Sequence, residues 1–170
     1  MEIVFYVAGI VAIVATILML TQRVAVHALL YLVVSLLAVA VIFYDLGAPF
    51  VAALEVIIYA GAIMVLFVFV VMLLNVRIET ARGVRLRSPA VWIGPGILSA
   101  ILIAELVYLL ATGEPGYATV STINPEEVGV ALFGPYVIGV ELASMLLLAG
   151  LVGAYHLGVR KIRAGRESWN

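Results

Sequence analysis

The chain has 170 residues, 66% of them apolar and 11% charged, with a net charge of −1. A soluble domain of this size cannot hide that much hydrocarbon from water, so the composition specifies an integral membrane protein. With no cysteine, disulfides, thiolate metal sites, iron–sulfur ligation and thiol nucleophiles are excluded for this chain.

Five apolar runs follow one another, at about 3–20, 25–44, 50–75, 90–111 and 135–158. Each meets or nearly meets the roughly 20 residues that a spanning helix needs. The first run is flanked by Glu2 rather than by a basic cluster, and no small-x-small cleavage site follows it, so it reads as a retained helix and not a signal peptide. Thr21-Gln22-Arg23 is a short polar break. The second run ends at Asp45-Leu46-Gly47-Ala48-Pro49, a turn in which Pro49 is placed to start the third helix. That helix carries a carboxylic acid, Glu55, and then Tyr59-Ala60-Gly61-Ala62 near its middle. Residues 76–89 are polar and basic and close on Ser88-Pro89. The fourth run holds Glu105. The one long loop is 112–134, and within it Asn124-Pro125-Glu126-Glu127 reads as an N-cap, a first-turn proline and two acids that match the helix dipole. A short interfacial helix is expected there, over about 125–133. The fifth run holds Glu141 and leads into a basic tail. No strand-type alternation, internal repeat or low-complexity segment is seen, which argues against a β-barrel. The expected fold is all-α, five transmembrane helices in a single membrane domain over 1–170.

Charge gives the orientation. Five spans put the termini on opposite sides. All nine basic residues, Arg23, Arg77, Arg82, Arg85, Arg87, Arg160, Lys161, Arg163 and Arg166, then fall on the side of the C-terminus. The positive-inside rule places the N-terminus outside, in the periplasm, and the C-terminus in the cytoplasm. A missed helix would scramble this asymmetry, so it also supports the helix count. The basic tail reads as a topology signal rather than a nucleic-acid contact.

Three acids lie within spans. Glu55, Glu105 and Glu141 each sit five or six residues in from the outer end of a helix, roughly 7–9 Å deep at about 1.5 Å per residue. A carboxyl in a span costs about 2.5–3.5 kcal/mol on insertion scales. Such an acid either turns toward headgroup water, sheds its charge in apolar surroundings, or lines a proton path inside the bundle. Glu105 has only apolar neighbours and fits the first two readings. Glu55 shares a helical face with Tyr59, at i+4, and fits the third. Glu141 falls between them, with Ser144 at i+3. Gly61 costs about 1 kcal/mol relative to alanine in a helix interior. Ala60-Gly61-Ala62 serves either as a close-packing surface for a neighbouring helix or as a weak point where the backbone switches between α and π geometry.

His27 and His156 are the only imidazoles. One per helix, without further ligands, does not make a metal site. No phosphate-cradling glycine loop, serine–histidine–acid set or bis-histidine haem pattern occurs. The chain carries no visible means of redox chemistry.

The stretches VHALLYLVVSLLAVAVIF (26–43) and GAPFVAALEVIIYAGAIMVLFVFVVMLLN (47–75), with VELASMLLLAGLVGA (140–154) in the last helix, resemble the J subunit of bacterial respiratory complex I, the proton-pumping NADH:quinone oxidoreductase. The resemblance covers nearly the whole chain and implies five helices with the N-terminus outside. It implies a non-redox subunit of the membrane arm in the bacterial inner membrane, an obligate hetero-oligomer with K-, A-, H- and N-type subunits and lipid around it. It implies no cofactor in this chain, with FMN, iron–sulfur clusters and quinone held by partner subunits, and no nucleic acid. It also implies a third helix that can hold a π-bulge around Tyr59 to Ile63 and whose rotation gates a water-filled proton path. Carried over by position, Gly61 is the pivot, Tyr59 the polar side chain that changes place, and Val65, Phe67 and Val68 the bulky gates. Glu55 would lie near the acidic track of the K subunit. Two alternatives stay open: the equivalent subunit of a cation/proton antiporter or membrane-bound hydrogenase, and a passive spacer needed only for assembly.

Overall fold

The computed structural model describes residues 2–22, 24–82, 90–112 and 122–167. Arg23, the 83–89 stretch with Arg85, Arg87 and Ser88-Pro89, and residues 113–121 of the long loop lie outside the described residues. In chain order the elements are α1 (Glu2–Thr21), α2 (Ala25–Asp45), α3 (Pro49–Leu54), a π-helix (Glu55–Ile63), α4 (Met64–Arg82), α5 (Ala90–Thr112), α6 (Pro125–Phe133) and α7 (Val137–Glu167). Five stretches are long and apolar enough to cross a membrane: Ile3–Thr21, Ala25–Asp45, Pro49–Leu73, Trp92–Ala111 and Val137–Gly158. The third of these crosses α3, the π-helix and the start of α4 without a break.

Two helices outrun the apolar runs that announce them. The third was expected to stop near 75 and continues to Arg82, and the last was expected to stop near 158 and continues to Glu167. The added turns are rich in Arg, Lys, Glu and Ala, which are good helix formers in water. Hydropathy measures the span; it does not see the helix leaving it. At α6 the difference is smaller. Asn124 does stand at the N-cap, extended at φ −76°, ψ 153°, with Pro125 in the first turn, but its side chain makes no capping bond.

The chain divides into two compact units, Met1–Ile123 and Asn124–Asn170. The core of the first is a seam between α1 and α2. Val4, Ala8, Val11 and Ala15 recur at spacings of four, three and four and face Val34, Ala38 and Val41, with Leu102 and Leu109 of α5 closing the cluster. Alanine at alternate positions of this seam lets the backbones approach, which is how helices associate where lipid removes the hydrophobic drive. A polar clasp crosses the same seam. The Thr16 and Ser35 hydroxyls are 2.8 Å apart, and both reach the Ala12 carbonyl, at 2.8 and 3.2 Å.

The turn after α2 is set by Gly47. Its φ of +80° is left-handed, the region that favours glycine. The Gly47 N–H donates to Tyr44 O and the Ala48 N–H to Phe43 O, at 3.1 and 3.0 Å, so the last carbonyls of α2 are capped. Pro49 then opens α3 at a first-turn position. The Ile123 N–H donates to Gly47 O at 2.9 Å and ties the return of the chain to this turn.

Where α5 meets α2, Gly94 precedes a proline inside the helix, Pro95. A Cβ at Gly94 would collide with the hydroxyl of the buried Tyr31, with the ring carbon Cζ next at 3.1 Å. Gly94→Ala is therefore expected to destabilise the unit by about 1–3 kcal/mol, the usual cost of overpacking. Because the hydroxyl makes the closest approach, Tyr31→Phe in the same chain is expected to recover most of that loss. Thermal dissociation in detergent of the two single variants and the double variant reads the coupling; equal instability of Gly94→Ala with and without Tyr31→Phe would sink it.

Candidate functional site

The third span is the unusual element. α3 runs in ordinary register as far as Glu55, whose N–H reaches Val51 O, four residues back, as well as Ala52 O. At the other end the Met64 N–H reaches Tyr59 O, five residues back. Between them the nine residues EVIIYAGAI form the π-helix. One extra residue is enclosed, so α4 leaves with its faces turned by about 100° from the ordinary register, given 3.6 residues per α-turn.

Glycine stands where this geometry is tightest. A Cβ at Gly61 would come within 3.1 Å of Val56 O, the carbonyl five residues back. In ordinary α register alanine at this position is the best helix former. A side chain at 61 thus weighs against the π form and for the α form. Just beyond, Met64 is only 2% exposed and is the largest fully buried side chain described. Sequence reading missed it, since one methionine among Ile, Val, Leu and Phe carries no distinguishing signal.

The site residues expected from sequence are placed as follows. Glu55 opens the π-helix and is half-buried. Tyr59 lies on the same segment and is 51% exposed. The described side-chain hydrogen bonds do not join the two. Val65, Phe67 and Val68 follow on α4 and are all exposed. The structure thus brings Glu55, Tyr59, Gly61 and the three bulky residues onto one continuous helix, with Tyr59, Val65, Phe67 and Val68 exposed. Glu141 belongs to the second unit and is exposed. The Ser144 hydroxyl, expected as polar company for it, donates instead to the Glu141 backbone carbonyl at 2.7 Å.

Two acids have buried carboxyl groups. Glu105 does not turn to water: both of its carboxyl oxygens are buried, with no hydrogen-bond partner among the described residues. Asp45, the first residue of the 45–49 turn in sequence, is the last residue of α2 and is 0% exposed. The two lie within Coulombic range of each other. Among the described residues no group of three or more His, Cys, Asp or Glu is placed to hold a metal ion.

Beside the π-helix lies an apolar cavity of about 390 Å³. Three helical faces wall it, each contributing residues at i, i+3, i+4 and i+7: from Leu37 to Tyr44 on α2, from Pro49 to Val56 on the third span, and from Ser99 to Leu106 on α5.

Comparison with known proteins agrees with this architecture. The profile of the family described as NADH-ubiquinone/plastoquinone oxidoreductase chain 6 matches residues 2–157. The chain is 55% identical to NADH-quinone oxidoreductase subunit J of Escherichia coli (strain K12), over 97% of this chain and 90% of that one. It is 52% identical to the subunit J of Pseudomonas aeruginosa, over 93% and 96%. With the subunit J of Buchnera aphidicola subsp. Schizaphis graminum the identity is 46%, over 95% and 99%. A match of that extent, on a chain whose five spans and helical fold stand on their own evidence, places this protein in the NADH-ubiquinone/plastoquinone oxidoreductase chain 6 family.

Proposed function

We infer that this chain is the J-type membrane subunit of an NADH-quinone oxidoreductase, and we propose that it couples quinone reduction to proton translocation through its third span. The single observation that carries the mechanistic part is the π-helix at Glu55–Ile63, which contains a glycine whose Cβ would crowd Val56 O and is followed by the buried Met64. In the proposed mechanism the segment has two registers. Conversion from π to α turns α4 by about 100°. That rotation carries Tyr59, Val65, Phe67 and Val68 past whatever faces them. A dry apolar stretch relays no proton; withdrawing bulky groups admits water between polar residues and opens a path. Quinone reduction in neighbouring subunits biases the two states. Because the bulky side chains are exposed on this chain, the other wall of the path belongs to a partner, with K-, A-, H- and N-type subunits as the proposed neighbours. This chain is proposed to hold no cofactor, and the FMN, iron–sulfur clusters and quinone are assigned to partner subunits. The broad exposed apolar faces of α4 and α7 suit a hetero-oligomer embedded in a bacterial inner membrane.

The identity is tested by purification in mild detergent through a tag on the C-terminal tail. A large complex with inhibitor-sensitive NADH:quinone reductase activity is the expected eluate. Elution alone or with only antiporter-like partners would contradict it. The role of the acid is tested separately. Glu55→Gln keeps shape and removes the transferable proton, so proton pumping per quinone reduced is expected to fall by about 10²-fold, the lower range for losing a positioned acid–base group. Unchanged pumping would return Glu55 to a packing role. The N-terminus-out orientation has a clean assay because the chain has no cysteine. In sealed vesicles of known sidedness, Thr122→Cys is expected to react with an impermeant maleimide from the periplasmic side only, and Ser168→Cys from the cytoplasmic side only.

A further inference from the structure

We propose that Glu105 and Asp45 form a proton-binding site, in which one proton is held between the two carboxyl groups and rests on Glu105. Placement is the first ground. On α5, Glu105 lies between Leu102, at i−3, and Leu109, at i+4, both buried and packed in one cluster with Val34, Ala38 and Val41 of α2. Asp45 is one turn beyond Val41 on that face of α2. The Tyr31 hydroxyl lies against Gly94, near the starts of α2 and α5. From that contact Asp45 is about 21 Å along α2 and Glu105 about 17 Å along α5, at ~1.5 Å per residue, a difference of less than one turn. The two helices therefore run in the same direction, and the acids come level across their seam, within Coulombic range. Burial is the second ground. Asp45 is 0% exposed, and both carboxyl oxygens of Glu105 are buried with no hydrogen-bond partner among the described residues. An ionised carboxylate without a donor is far more costly in such surroundings than a neutral acid. Two carboxylates enclosed together also repel, and a proton kept by the pair removes that repulsion. Partner subunits only add cover, so this burial persists in any assembly. The local field is the third ground. Asp45 ends α2, at the negative pole of the helix dipole, where a second anion is disfavoured. In sequence α1, α2, α3, the π-helix and α5 carry no Lys or Arg, and His27 stands at the start of α2. Arg77 and Arg82 stand at the far end of α4. The titratable groups of these elements at the Asp45 end are Glu2 and Tyr6 of α1, Tyr44 of α2, Glu55 of the π-helix and Tyr108 of α5, which are acids and phenols.

The bound proton leaves one neutral acid facing one carboxyl, which lets α2 and α5 close on each other. Without it, two like charges face each other in the seam. The site is separate from Glu55, which opens the π-helix, and it stands whether or not the third span moves. The test counts the proton. The assembly purified from its membrane is brought to neutral pH without buffer and unfolded in guanidinium chloride, and the protons released are titrated. In the unfolded chain Glu105 meets water, where a glutamic acid is ionised at neutral pH. Glu105→Gln is close in shape, offers its amide to Asp45 in place of the proton, and has no acidic proton to lose. It is expected to release about one proton fewer per chain than the native sequence. In an Asp45→Asn background the Glu105 proton is expected to be lost at a lower starting pH, because the neighbouring carboxyl no longer opposes the charge. If Glu105→Gln does not assemble, Glu105→Leu, equally free of an acidic proton, gives the same count. Equal proton release with and without Glu105 overturns the proposal, in favour of a carboxylate held by a cation from a partner. A loss of one proton whose pH profile is unchanged by Asp45→Asn overturns the pair, in favour of Glu105 as a lone neutral acid.

Discussion

Replacing Gly61 with valine is expected to leave the complex assembled and NADH oxidation by an artificial acceptor intact, while proton translocation coupled to quinone reduction falls by about tenfold or more. The reason is local. A Cβ at 61 stands 3.1 Å from Val56 O in the present register, closer than ordinary van der Waals contact, and that neighbour is backbone, which has little room to give. The crowding costs about 1 kcal/mol or more, the range for a side chain forced against its surroundings. In the α register the same substitution relieves part of the glycine penalty, about 0.3–0.5 kcal/mol for valine. Both effects push the same way. A shift of about 1.5 kcal/mol between two registers changes their ratio roughly tenfold, enough to favour the α form through a cycle that requires both. Gly61→Ala carries the same Cβ and gains the full glycine-to-alanine propensity of about 1 kcal/mol, so it is expected to give a comparable loss. Proton pumping measured by an entrapped pH dye, against NADH consumed, reads the effect. Normal coupling in Gly61→Val would remove this residue from the mechanism.

Met64→Ala is expected to act on the same equilibrium from the packing side. Met64 is 2% exposed and sits at the exit of the π-helix, so truncation leaves a cavity at the point that fixes the rotation of α4. Buried methionine-to-alanine changes cost about 2–5 kcal/mol in soluble cores. In a bilayer the unfolded reference is also apolar, so the lower end, about 2 kcal/mol, is the appropriate expectation. A turn of α4 by about 100° takes Met64 out of its place. Its burial therefore favours the π register, and its loss favours the α register. Met64→Leu, close in volume, is expected to retain stability and coupling. Thermal dissociation in detergent gives the stability loss and the pumping ratio gives the shift in register. A Met64→Ala chain that is less stable yet fully coupled would show that Met64 holds the bundle together without bearing on the register.

Much of the fold is legible because the bilayer simplifies the problem. Runs of about 20 apolar residues have one stable fate in lipid, so the five spans read directly from hydropathy. The interior of the bundle does not. In α1 the seam residues Val4, Ala8, Val11 and Ala15 lie among equally apolar Ile10, Ile13 and Ile17, which face outward. Where every face is apolar, the buried one carries no compositional mark. The long polar ends of α4 and α7 are invisible for the opposite reason, being polar helices that continue an apolar one. Asp45 shows a third kind of blindness. An acid beside Leu-Gly at a helix end normally reads as solvent-facing, and only the packing of the turn buries it. The π-helix stands apart. Gly61 permits that register without demanding it, so residue properties leave packing and bulge open, and the expectation of a bulge around Tyr59 to Ile63 comes from the family resemblance alone. The structure extends the irregular stretch upstream to Glu55, which places the acid at its first residue.

The most direct measurement is the backbone register of Glu55–Ile63 in density maps of the assembled complex, one at rest and one trapped during turnover. Two registers are predicted: the π-helix in one state, and in the other a continuous α-helix with Met64 out of its buried place and Val65, Phe67 and Val68 turned by about 100°. The same π-helix in both states, with α4 unrotated, would contradict a movable third span.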